Sequence, residues 1–224
     1  MSNASRSPQV TVIKLGGSLA ESGRLASIVS IVTTARVPVA VVPGGGTFAD
    51  AVRVAQADLG FNDAVAHHMA ILAMHQTAHM LAGLDERFAP VETIAGIKRA
   101  LAEERIPVWL PWKLSARDTT VPADWSVTSD GLAARLAERL GRAPVVLMKS
   151  CTVPPGAALD RLALAEAVDP TFVAIVERAK LFWRVLGAGD EPELAKLLRS
   201  EPGRALPRKA GRRRAPPRAI ARRK

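Results

Sequence analysis

Val10-Thr11-Val12-Ile13-Lys14-Leu15-Gly16-Gly17-Ser18 decides how the rest of the chain is read. Its β-branched, apolar residues describe a strand covered on both faces, and the run stops at two glycines. Lys14 interrupts it. An ammonium on a buried strand is costly unless it lies near the open end and meets an anion. The glycines two positions on let backbone N–H groups approach phosphate oxygens closely. A helix starting near Leu19 would turn its positive N-terminus to the same place. A plain strand-to-helix turn with a snorkelling lysine fits this segment equally well, so taken alone it leaves both readings open.

Outward from there, Leu25, Ile28, Val29, Ile31 and Val32 fall at helical spacing, and Val37 to Val42 is a second apolar run. Strand, helix, strand predicts a parallel pair joined by a right-handed crossover, hence an α/β sheet. The second run ends in Pro43-Gly44-Gly45-Gly46-Thr47, and Phe48, Ala51, Val52 and Val54 begin a helix for which Thr47 is the expected cap. Ligands of open parallel sheets bind at the carboxyl ends of strands, so the two glycine loops should share one edge. Gly44-x-Gly46-x-x-Ala49 also fits a dinucleotide fingerprint. However, Asp63 to Leu84 reads as one long helix, where that fold wants a strand ending in an acid. The P-loop's lysine directly after its glycines is absent as well.

All four histidines, His67, His68, His75 and His79, lie in that long helix. His75 and His79 have i, i+4 spacing but lack the glutamate of a zinc-peptidase helix, so they read as a polar stripe beside a pocket or as a subunit contact. Ile97 to Ala102 is a further helix, Ile106 to Leu110 a third strand, and Lys113 to Pro122 a polar surface loop. Thr128 or Ser129 then caps a helix whose apolar face is Leu132, Ala133, Leu136 and Leu140. Asp130 sits in its first turn, where the dipole favours an acid even without a function. Pro144 to Ser150 repeats the opening strand, with Lys149 at its carboxyl end. Two strand-end lysines, two glycine loops and an aspartate suit phosphoryl transfer, in which a protein offers placed cations, backbone N–H groups and orientation.

On Ile13 to Ser18, Pro43 to Gly46, Thr128 to Asp130, Leu147 to Lys149 and the ending Val185 to Leu198, the chain resembles the amino acid kinase family. The resemblance implies an α/β fold, a three-layer α/β/α sandwich around a mainly parallel central sheet. A single kinase domain would span residues 10–202, with the acceptor over its first half and the nucleotide over its second. It implies ATP with Mg2+ carried on the nucleotide, and no metal ligand is assigned to the protein. Lys14 and Lys149 would stabilise the transferring phosphoryl group, and Asp130 would hold the lysines. Gly16, Gly17, Ser18, Ser150 and Asp169 fall to the phosphate and ATP side. Gly44, Gly45, Gly46 and Thr47 fall to the acceptor side, with Asp50 facing an amino group. Gly44 to Asp50, Ala66 to Met74, Val108 to Pro111 and Trp125 to Asp130 look most like the branch that phosphorylates 5-(aminomethyl)-3-furanmethanol phosphate in methanofuran-type cofactor synthesis. Such an acceptor attacks without a general base, in keeping with histidines a helix away from the glycine loop in sequence. One departure is Cys151 to Gly156, which stands where the family commonly shows an acid and a glycine, so nucleotide contacts are not carried over to it.

A chain of 224 residues suffices for one α/β domain. It has no apolar run of membrane-spanning length, and Met1 to Pro8 lacks a signal peptide's regions, so a cytoplasmic protein is expected. Cys151 is its single cysteine, which excludes an internal disulfide and is read as a semi-buried thiol. The net charge of +10 is a tail: ten of the 31 basic residues lie in Gly203 to Lys224 with no acid among them, leaving 21 basic against 21 acidic. Residues 1–9 and 203–224 are expected to be flexible and disordered respectively, the tail making weak, salt-sensitive polyanion contacts. A homo-oligomer is expected. Two other readings are a catalytically silent nucleotide-binding or regulatory protein of the same fold, and nucleic-acid binding through the tail.

Overall fold

The structure, a computed structural model, describes residues 9–199; the tail at 203–224 and nearly all of the expected N-terminal segment lie outside them. In chain order the elements are β1 (Thr11–Leu15), α1 (Leu25–Thr33), β2 (Val39–Pro43), α2 (Gly46–Leu59), α3 (Asp63–Leu84), β3 (Phe88–Val91), α4 (Ile94–Ala102), β4 (Ile106–Trp109), α5 (Trp112–Ser115), α6 (Ser129–Arg139), β5 (Val145–Met148), α7 (Leu159–Leu164), α8 (Pro170–Ala179), β6 (Trp183–Leu186) and α9 (Glu191–Arg199). The six strands form one sheet in the order β3-β4-β2-β1-β5-β6, and every pairing is parallel. Among the described residues no helix is long and apolar enough to cross a membrane.

Strand alternation divides the core into two layers. Val12, Ala40, Val42, Val145 and Leu147 pack with Leu132 and Leu136 of α6 and Phe172, Ile175 and Val176 of α8. Ile13, Leu15, Val41, Val146 and Met148 face the other way, onto Ile28 and Val32 of α1 and Leu194 and Leu198 of α9. Burial of each such side chain contributes about 1.5–3 kcal/mol, and together they make a three-layer sandwich. Strand order reverses between β1 and β5, which is where open parallel sheets leave a crevice. Leu15 pairs with Met148, so Lys14 and Lys149, each one residue from that pair, both emerge on the α6 side.

The structure differs from the sequence reading at several points: the helix expected to start near Leu19 begins at Leu25, after a 3-10 turn over Gly17–Leu19. Phe88–Val91 is a strand that the sequence reading does not include; the segment is short, contains Pro90, and pairs only with β4 at the sheet edge, where proline is tolerated. Trp112–Ser115 is one helical turn inside the expected polar loop. Thr47 is not a cap: α2 starts at Gly46 with Gly45 at its N-cap and no side-chain cap bond, because the chain turns into the helix through glycine backbone.

The two glycine loops are interlocked. A β-carbon on Gly17 would lie 2.0 Å from the Gly46 nitrogen, and one on Gly44 would lie 2.4 Å from the Gly17 nitrogen. The Gly44 N–H donates to the Leu15 carbonyl at 2.7 Å, and Gly46 has φ +54°. Backbone therefore meets backbone with no room for a side chain, which holds the ends of β1 and β2 in fixed relation. Gly17→Ala is expected to destabilise the protein by more than about 2 kcal/mol. Gly23→Ala, at φ +69° with open space around it, should cost only about 1 kcal/mol for its left-handed backbone. Urea midpoints measure both; equal, small losses would contradict the interlock.

Candidate active site

Beyond the carboxyl ends of β1, β2 and β5 lies a cavity of about 230 Å³. Lys14, Gly17, Ser18 and Gly44 to Gly46 form one side of it. Ala49, Asp50 and Arg53 of α2 face His67, Ile71 and Met74 of α3, and Trp125, Val127 to Asp130, and Lys149 close it.

Asp130 is its buried anchor, 2% exposed. Thr128 caps α6 by accepting from the Asp130 N–H at 3.2 Å, which places the aspartate in the first turn with its carboxylate toward the strand ends. Oδ1 lies 3.0 Å from Lys14 Nζ, and Oδ2 accepts from Lys149 Nζ. Burial alone would raise the Asp130 carboxyl, but Lys14 and Lys149 outweigh it and hold it below the ordinary carboxylate value. Burial, with repulsion from Lys14, pushes Lys149 down against the pull of Asp130. Two ammoniums against one carboxylate leave an excess positive charge in a poorly solvated place, which an anion would neutralise.

A second buried carboxylate, Asp169, does not line the cavity. It caps α8 through Phe172 N–H at 2.6 Å. Its other oxygen accepts from Thr128 N–H at 2.8 Å, Thr128 Oγ1 at 2.7 Å and Gly131 N–H at 2.9 Å, tying two helix N-termini together behind Asp130. Burial raises its carboxyl, more than those donors lower it. Arg24 braces the other lysine. Its guanidinium donates to the Lys149 carbonyl at 2.9 Å, to the Gly187 carbonyl at 2.8 Å and to Glu191 at 2.6 Å. Ser18 and Ser150 hydroxyls meet at 2.8 Å, bridging the ends of β1 and β5.

Of the residues singled out from sequence, Lys14, Gly17, Ser18, Gly44, Gly45, Gly46, Asp50, Asp130 and Lys149 line the cavity, whereas Gly16, Thr47, Ser150 and Asp169 do not. Sequence reading passes over Arg24 and Arg53, and gives Trp125 no role beyond its place in a resembling stretch. The Arg53 guanidinium stacks 3.9 Å from the centre of the Trp125 ring, whose Nε1 donates to Gln56 at 2.7 Å. The histidines need correction: α3 packs against α2, so His67 lines the cavity despite its separation in sequence from the loop. His68 stands edge-on to Trp112 at 5.3 Å, and His75 accepts from the Trp112 N–H at 3.2 Å. Cys151 is exposed, not semi-buried. Among the described residues no group of three or more His, Cys, Asp or Glu is arranged to hold a metal ion.

A sequence model described as the amino acid kinase family matches residues 9–151. A curated relative, the 5-(aminomethyl)furan-3-yl methyl phosphate kinase of Methanocaldococcus jannaschii, is 25% identical over 194 residues, covering 81% of this chain and 89% of that protein. Among solved structures, uridylate kinase from Archaeoglobus fulgidus matches with a TM-score of 0.56 at 18% identity, over 85% of this chain and 95% of its own. UMP kinase from Ureaplasma parvum matches at 0.57 and 16% identity, over 81% and 90% respectively. The isopentenyl phosphate kinase product complex of T. acidophilum matches at 0.52 and 14%, over 84% and 95%. These three likenesses show a shared fold.

Asp130→Asn leaves Lys14 and Lys149 side by side without their carboxylate and is expected to cost about 3–5 kcal/mol at pH 7. Because the folded Asp130 carboxyl is held below its unfolded value of about 3.9, its stabilisation is complete above that pH and lost as pH falls through the folded value. Denaturant titrations of wild type and variant should therefore differ at neutrality and converge progressively below about pH 4. No gap at pH 7, or a gap that fails to narrow in acid, would contradict the arrangement.

Proposed function

This chain belongs to the amino acid kinase family, and on that premise we propose that it transfers the γ-phosphoryl group of ATP to a small acceptor already bearing a phosphate. The acceptor favoured is 5-(aminomethyl)furan-3-yl methyl phosphate. The observation that carries the reading is the buried Lys14–Asp130–Lys149 cluster at the sheet's switch point. A transferring phosphoryl group spreads negative charge over its oxygens, and two ammoniums fixed by one carboxylate are already oriented to receive it. Mg2+ would arrive on the nucleotide's phosphates and neutralise part of their charge, a role consistent with the small number of acids lining the cavity.

Gly45 and Gly46, opening α2, supply backbone N–H groups and a positive helix end suited to the acceptor's phosphate, the Gly44 N–H being taken by the Leu15 carbonyl. An oxygen of that phosphate, ionised near neutral pH, attacks the γ-phosphorus. The new P–O bond forms as the bond to ADP breaks, giving ADP and a diphosphate ester without a general base. A carboxylate acceptor would share this independence from a base. The named relative supports the furan phosphate in particular. A silent nucleotide-binding protein is the weaker reading, because both lysines and their carboxylate are in place. ATP consumption is expected with the furan phosphate and not with its dephosphorylated alcohol, measured by coupled ADP release. Efficient phosphorylation of the free alcohol would overturn the choice of acceptor.

A further inference from the structure

We infer that the cavity holds a subsite for a primary amine on the acceptor, formed by His67 of α3 with Asp50 of α2, so that phosphomonoesters carrying such an amine are selected. This rests on the phosphate-acceptor reading above and adds the groups that choose among such acceptors.

His67 is 6% exposed and lines the cavity. Its Nδ1 lies 3.2 Å from the carbonyl oxygen of Asp124, which can only accept, so Nδ1 carries the proton. Nε2 is then a lone-pair acceptor, and it hydrogen-bonds to nothing among the described residues. Burial, helped by neighbouring His68, lowers the ring's affinity for a second proton more than Asp124 raises it, so the imidazole is neutral at pH 7. With Nδ1 engaged on Asp124, Nε2 is the ring atom left available to a donor supplied by the ligand.

Across the cavity on α2, the two charged side chains differ in availability. The Arg53 guanidinium is engaged on the Trp125 face, and the Asp50 carboxylate touches it only at 3.9 Å and remains largely exposed. An ammonium would donate to Nε2 and share the field of Asp50 with Arg53, which meets that carboxylate only at 3.9 Å; a hydroxyl would gain only the first. Lys14 and Lys149 repel an ammonium, which orients the acceptor with its phosphate toward the lysines and its amine away from them. Ile71 and Met74, one and two turns beyond His67 on α3, give the intervening part of the acceptor an apolar wall.

The test pairs each phosphomonoester with an analogue lacking the amine: the furan phosphate with aminomethyl or methyl, and 2-aminoethyl phosphate with ethyl phosphate. Wild type should favour the amine of each pair by roughly tenfold or more in kcat/KM, mainly through KM. His67→Phe should bring the ratio near one. His67→Gln, which keeps an acceptor oxygen, should restore part of it, and Asp50→Asn should lower it; these variants carry the test if the phenylalanine does not fold. No amine preference in wild type, or a preference surviving both His67→Phe and Asp50→Asn, overturns the subsite. Loss of kcat on amine and methyl acceptors alike also overturns it, identifying His67 instead as a base. If the furan phosphate is not turned over but 2-aminoethyl phosphate shows the His67-dependent preference, the furan assignment falls and the subsite stands.

Discussion

One carboxylate shared by two ammoniums is the interaction on which the site depends. Lys14 comes from β1, Lys149 from the end of β5 and Asp130 from the first turn of α6, and each would be costly to bury alone. Together they are tolerated at the sheet's switch point, with one positive charge in excess directed at the cavity. The arrangement is held from behind. Asp169 fixes Thr128, Thr128 fixes the start of α6, and Arg24 fixes the backbone of Lys149. A chain of hydrogen bonds therefore converts the packing of α8 and α1 into the position of three charges.

The glycines serve the same end by a different route. Phosphate approach alone would explain the Gly16-Gly17 and Gly44-Gly45-Gly46 turns, yet the closest neighbours of Gly17 and Gly44 are backbone atoms of the opposite loop. Removing side chains there lets the ends of β1 and β2 nest, so one wall of the cavity is backbone. At Gly45 a β-carbon would instead strike the Ala49 side chain at 2.4 Å, so substitution there disturbs the first turn of α2 as well as the loop.

Much of this was legible in the sequence because the signals were local. A lysine breaking an apolar run just before glycines marks a strand end, and its recurrence at Lys149 marks a second one beside it. Asp63–Leu84 is uninterrupted by glycine or proline until its last turn, so its extent as a helix was readable as well. Contacts between segments remote in sequence were not. His67 lies a helix away from the loop along the chain, yet the α2–α3 turn folds it back to the cavity. Nothing in the sequence links Arg53 to Trp125, 72 positions later, whose ring lies under its guanidinium. Phe88–Val91 escaped because an edge strand interrupted by proline carries little periodicity.

The central claim is that Lys14 and Lys149 act on the charge that develops during transfer more than on bound ATP, and single-turnover kinetics set beside nucleotide-binding measurements test it most directly. Lys14→Met and Lys149→Met should each slow phosphoryl transfer by roughly a hundredfold or more while changing ATP affinity far less. Near-normal transfer in either variant, or a loss accounted for wholly by weaker ATP binding, would contradict the account.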